Sequence, residues 1–97
     1  MIKLEIIANK VLEEDIIDAL DNSGYGENFT TVSPVYGRGR HGRREGSAIW
    51  PEENIMFIVY IKEAEYAALI DVLKRIKGDF PLEGLRCYAQ TGTEKAV

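Results

Sequence analysis

Seven consecutive apolar residues, IMFIVYI at positions 55–61, constrain the fold more than any other stretch of the chain. The run is too short for a buried helix and lacks the polar alternation of a half-exposed strand. It predicts a central strand, either buried on both faces or meeting another subunit with its second face. The segments around it change period in a fixed order. KLEII, with Ile2, Leu4 and Ile6 alternating, reads as a first strand. From Val11 the spacing becomes helical: Leu12, Ile16, Ile17 and Leu20 share a face, Glu13, Glu14 and Asp15 fall in the first turn, and NSGYG stops the helix. FTTVSPVY is rich in β-branched and aromatic residues, and Pro34, which has no N–H to give a ladder, makes it an edge or a bulged strand.

After the apolar run, Tyr66, Leu69, Ile70, Leu73 and Ile76 mark the inner face of a second helix that ends in Lys74, Arg75 and Lys77 and is expected to close at Gly78. GDFPLEG then turns the chain into a last strand, LRCYA. The resulting order, β-α-β-β-α-β, predicts an α+β, ferredoxin-like sandwich over residues 1–97: a four-stranded antiparallel sheet with two helices on one face. A sheet covered on one side needs water or a neighbour on the other, and the apolar third strand favours a neighbour.

Size and charge narrow the function. At 97 residues and 45% hydrophobic content the chain fits one domain, with only about 60–70% of the unfolded surface available for burial. The single cysteine, Cys87, excludes an intramolecular disulfide and a cysteine-built metal site, and its apolar surroundings fit an inert thiol. No run approaches the ~20 apolar residues of a membrane span, and the N-terminus lacks the ordered regions of a signal peptide, so the cytoplasm is the expected compartment. The net charge is −4, yet residues 38–44 carry four arginines and no acid; removing those charges leaves −8 on everything else. Positive charge this local fits a small anionic ligand or an acidic patch on a partner better than a nucleic acid or a membrane surface.

Those arginines lie in a connection of unusual length. Residues 37–53 separate two strands that should form a hairpin, where loops of about 2–5 residues are usual. Glycines at 37, 39, 42 and 46 let the backbone approach a ligand closely, and the interleaved Arg38, Arg40, Arg43 and Arg44 supply forked donors for phosphate or carboxylate. GRGRHG is neither a Walker A nor a dinucleotide fingerprint, since it lacks the Gly-Lys-Ser/Thr ending and follows a strand without opening a helix. His41 is the only histidine, which leaves metal binding without a second imidazole. Trp50 and Pro51 suit anchoring of the returning arm on the sheet, with a partner contact as the alternative for Trp50.

The segment TTVSPVYGRGRHG followed by NIMFIVYIKEAEYAALIDVLKRI resembles the PII signalling superfamily, whose members carry a Gly-x-Gly-Arg stretch at the base of the T-loop. REGSAIWPEEN is similar to the Arg-x-x-x-Trp-Pro-Gly-x-Asn segment of short, divergent PII-like proteins. The resemblance implies a homotrimer with an adenine-nucleotide site in each cleft between subunits, the effector being ATP, ADP, AMP or cyclic AMP, and a T-loop equivalent at 37–53. It implies that Gly37, Arg38, Gly39 and Arg40 approach the phosphates, that Thr31 contacts the adenine region, and that backbone groups of Tyr60 and Ile61 meet the base. His41, Arg43, Arg44 and Trp50 are then expected to face a target protein such as a membrane transporter or an enzyme. Two departures matter. The tyrosine-bearing T-loop sequence is absent, so uridylylation of that type is not implied; and the Thr-Gly-x-x-Gly-Asp-Gly-Lys-Ile phosphate loop is reduced to KGDFPLEGLR, with Arg86 standing in for its lysine. A triphosphate would be held more weakly than in the main branch, which brings monophosphate and diphosphate forward.

Three classes of function compete on these residues. A non-enzymatic sensor that couples ligand to partner through the 37–53 loop fits best. An RNA-binding module of the same topology would need stacking aromatics in a Lys/Arg-Gly-Phe/Tyr setting, which Phe57 lacks; a docking module without ligand is the other alternative. Catalysis has no Ser/His/Asp or Cys/His pairing, no metal cluster and no evident carboxylate pair to support it.

Overall fold

The computed structural model describes residues 1–24, 28–37 and 53–97. Four strands and two helices follow in the predicted order: β1 (Ile2–Asn9), α1 (Glu13–Ser23), β2 (Phe29–Tyr36), β3 (Glu53–Ile61), α2 (Tyr66–Asp79) and β4 (Leu85–Thr91). The sheet order is β2-β3-β1-β4 with every pair antiparallel, so β1 and β3 are the interior strands, and the run at 55–61 is central as expected. The core lies between this sheet and the helices. Leu4, Ile6 and Ala8 of β1 and Ile55, Phe57, Val59 and Ile61 of β3 are buried against Leu12, Ile16 and Leu20 and against Leu69, Leu73 and Ile76 of α2. Phe29 of β2 closes one side with its ring 5.7 Å from that of Phe57.

Only one face of β3 is enclosed. Met56 and Ile58 are half-buried and Tyr60 is 52% exposed, so the run at 55–61 is not buried on both faces; its second face is open in the single chain. The register sets this open face in rows: Tyr60, Lys3 and Gln90; Thr30, Ile58, Glu5 and Tyr88; Val32, Met56, Ile7 and Arg86. Its β2–β3 half is apolar. The β1–β4 half carries charge, with Lys3 Nζ 3.1 Å from Glu5 Oε2.

Pro34 meets both of its expectations, because β2 is an edge strand and is bulged. Val32 pairs with Met56 and Val35 with Asn54, so three steps on β2 match two on β3. The helix ends have different causes. A short 3-10 turn at Lys10–Leu12 leads into α1, with the Asn9 side-chain oxygen accepting from the Val11 N–H at 3.0 Å, and α1 stops at Gly24, whose φ of 73° suits a residue without Cβ. At the end of α2 the expectation fails: the helix runs through Gly78 to Asp79 and is capped at Phe80. Lys77 accounts for the helix running one residue past Gly78. Its ammonium donates to the carbonyls of Pro81 at 3.0 Å and Glu83 at 2.6 Å, so the following turn is tied to the helix and no left-handed glycine is needed. Tyr66, expected on the inner face, sits in the first turn and is 36% exposed.

Candidate functional site

The sheet sorts the candidate residues to two ends. At one end β2 finishes at Tyr36 opposite Glu53, β1 finishes at Asn9 opposite Asn54, and β4 starts at Leu85 opposite Ala8. Gly37 leaves from here, exposed and with nothing within 4 Å of where a Cβ would stand. The α2–β4 turn comes to the same end, held by the Asn9 N–H donating to the Gly84 carbonyl at 2.9 Å. Arg38, Gly39, Arg40, His41, Arg43, Arg44 and Trp50 lie outside the described residues.

Tyr60 and Ile61 lie at the other end. From Asn54 to Tyr60 is six residues of extended chain, roughly 20 Å at about 3.4 Å per residue. Here β3 outruns its neighbour, since the first β2 pairing is Phe29 with Val59. Among the described residues, the β2-facing backbone edge of Tyr60 and Ile61 therefore has no strand partner. Beside it is an open hollow of about 390 Å³ lined by Met1, Gly24, Asn28, Tyr60, Ile61, Lys62 and Glu65. Its floor is held by a reciprocal pair: the Lys62 N–H donates to Glu65 Oε1 and the Glu65 N–H to the Lys62 carbonyl, each at 2.9 Å. The Ile61 side chain is buried, so only its backbone is available to a ligand. The Tyr60 ring lies on the open sheet face, its Cε1 3.9 Å from where a Cβ on Gly92 would stand.

Among the described candidates, the structure brings only Tyr60 and Ile61 together. Thr31 is exposed midway along β2, opposite Phe57 on the helix side of the edge strand. Arg86 is exposed on the open face of the far edge strand, opposite Ile7. Gly37 is a sheet length from Tyr60. Gly37 and the hollow at Tyr60 thus lie at opposite ends of the sheet, and among the described residues no single cleft joins them. Sequence reasoning missed Asn28, Lys62 and Glu65 in the hollow; the Lys-x-x-Glu spacing after a strand, which places a carboxylate on the helix-entry amides, was the signal available.

Cys87 faces the helix side of β4, opposite Ile6, and burial pushes its thiol up from its ordinary pKa. Among the described residues no group of three His, Cys, Asp or Glu side chains is placed to hold a metal ion. Nor is any helix there long and apolar enough to cross a membrane.

The family model for nitrogen regulatory protein P-II matches residues 1–79, ending with α2. Among solved structures, CPII, a nitrogen regulatory PII-like protein from Thiomonas intermedia K12 bound to ADP, AMP and bicarbonate, is 26% identical with a TM-score of 0.71, covering 92% of this chain and 82% of that one. The same protein bound to ADP and bicarbonate gives 27% and 0.72 over the same shares. A DUF3240 family protein from Shewanella baltica OS155 shares the fold at a TM-score of 0.75 and 21% identity, covering 99% of this chain and 93% of that one. No curated protein matches.

Proposed function

This chain belongs to the nitrogen regulatory protein P-II family, and we propose that it is a non-enzymatic, cytoplasmic PII-like regulator that binds an adenine nucleotide between the subunits of a homotrimer. The observation that carries the reading is the separation of Gly37 from the hollow at Tyr60. The Gly37 end and the Tyr60 hollow lie roughly 20 Å apart in one subunit, and neither is enclosed. A neighbour packed on the open sheet face brings the Gly37 end of one copy to the hollow of the next. The base then rests against the unpartnered backbone edge of Tyr60 and Ile61, with Thr31 nearby. The phosphates meet Gly37, Arg38, Gly39 and Arg40, with Arg86 contributing from β4.

The ligands carried by CPII, ADP and AMP together with bicarbonate, support an adenine nucleotide of one or two phosphates. Cover of the open face is supported by its half-buried Ile7, Met56 and Ile58 and its exposed Val32, Tyr60 and Tyr88, an apolar set large enough to need a partner. The connection after Gly37, through His41, Arg43, Arg44 and Trp50, then presents the occupied state to a target protein, a transporter or an enzyme; Glu53, expected to close that loop, instead opens β3. Ligand binding biases the loop because the loop base is one wall of the site.

Isothermal titration with AMP, ADP, ATP and cyclic AMP, paired with light scattering for mass, tests the reading. A trimer with micromolar affinity for AMP or ADP is expected, and Arg40→Ala should weaken that affinity about tenfold, the loss of one charge-assisted hydrogen bond, with the fold unchanged. A chain that binds none of the four, or an Arg40→Ala variant of undiminished affinity, counts against it.

A further inference from the structure

Among the described residues β2 has a neighbour on one side only, and at its bulge Ser33 and Pro34 have no ladder partner on β3. Proline brings no N–H of its own. Beyond the bulge two pairs, Val35 with Asn54 and Tyr36 with Glu53, carry β2 to Gly37, so the bulge is the point at which the strand end can tilt.

Lys10 supplies the missing tie. It follows directly on β1, and its Nζ donates to Ser33 Oγ at 2.9 Å across 23 positions of sequence. The same ammonium is 3.7 Å from Glu13 Oε1 in the first turn of α1, so it is oriented from two sides. Asn9, its neighbour, fixes the position of the backbone by accepting from the Val11 N–H and donating to Gly84. The junction of β1 and α1 is therefore anchored to both the helix and the α2–β4 turn, and Lys10 extends that anchorage to the bulge. Its side chain keeps 44% of its surface exposed, so the link is weak enough to be adjustable.

We propose that Lys10 is a positioning residue for the ligand site: by holding the β2 bulge at Ser33 it sets where Tyr36 and Gly37 leave the sheet, and hence where the loop arginines begin. The consequence for ligand affinity rests on the nucleotide reading above; the pinning of the bulge does not. The experiment reads both in the full chain, with amide hydrogen exchange on the free protein and titration with AMP and ADP, for Lys10→Met, Ser33→Ala, the double variant and Lys10→Arg. Each single variant is expected to speed exchange at Val32, Ser33, Val35, Tyr36 and Gly37 about three- to fivefold, the scale of one exposed polar contact, and to weaken nucleotide binding by a similar factor. Exchange in β1 and β3 should stay as it was. The double variant should lose no more than either single one, as two ends of one bond require, and Lys10→Arg should restore both readouts. Nucleotide binding with unchanged exchange at the bulge, or losses that add in the double variant, overturns the positioning role and leaves the nucleotide reading standing. Faster exchange in a protein that binds neither nucleotide keeps the pinning and removes its consequence for a ligand.

Discussion

Phe57 concentrates the stability of the sheet in one side chain. It is fully buried on the middle of β3 and meets Phe29 from the edge strand, so its ring joins β2 to a core otherwise built of aliphatic residues. Phe57→Ala should cost about 3–5 kcal/mol, measured as a fall in the urea midpoint with the slope unchanged. Cys87 gives a pH dependence whose direction follows from its burial. The folded state raises the thiol pKa, so between the unfolded and folded values the unfolded chain has lost a proton that the folded chain keeps. Stability contributed by the neutral thiol is complete below the unfolded pKa and declines as pH rises through the folded one. Chemical unfolding above the ordinary thiol pKa should show that decline, and Cys87→Ala should remove its thiol component. Neither residue needed the structure to be noticed. Phe57 lay in the apolar run and Cys87 in a strand, but which face each took depended on register, which a seven-residue apolar stretch does not encode.

At the scale of elements, the sequence was most informative where a backbone requirement and a residue type coincide. Gly24 is such a place. Its φ of 73° is left-handed and no atom stands within 4 Å of a built Cβ, so Gly24→Ala meets backbone strain and no clash. A loss of about 1 kcal/mol is expected, read as a lower thermal midpoint with the near-ultraviolet spectrum of the core preserved. The end of α2 shows the opposite case. Gly78 has the right residue type but an ordinary helical position, because a lysine one residue earlier reaches forward to two carbonyls of the next turn. A side chain bonding to residues four and six places ahead leaves no periodic trace. The same holds for Lys10 and Ser33, whose link spans 23 positions. The match to the P-II family model also ends at residue 79, where KGDFPLEGLR departs from the family pattern. The part of the chain that the resemblance described least well is thus the turn held by the side chain of Lys77.

The whole molecule presents a sheet with one dry face and one unfinished face. The order of elements predicted the first, and the run at 55–61 offered two accounts of the second. Exposure of Tyr60 and Val32 excludes burial of β3 on both faces within one chain, since solvent reaches the face that a fully buried strand would have enclosed. Ile58→Glu tests what covers it. The residue is half-buried at the centre of the open face, opposite Glu5, so a carboxylate there is tolerable in a lone subunit and costly beneath a neighbour. Light scattering should report a monomer with native circular dichroism, and nucleotide affinity should fall with the mass. A trimer of unchanged stability would place the contact elsewhere. Gly37 and Tyr60 were both named from the sequence, and the expected hairpin of β2 and β3 already sets them at opposite ends of the sheet, as the antiparallel register shows.

Tyr36 and Glu53 face each other across β2 and β3, the last pair in that ladder. Paired strand residues sit about 5 Å apart at their Cα atoms, so the chain is clasped shut at the point where the long connection begins and ends. Closure at this pair fixes where the connection must begin and end, and in the flexible-chain limit doubling its length adds only about 0.6 kcal/mol. A domain clasped in this way tolerates a longer connection at little cost to its folding free energy.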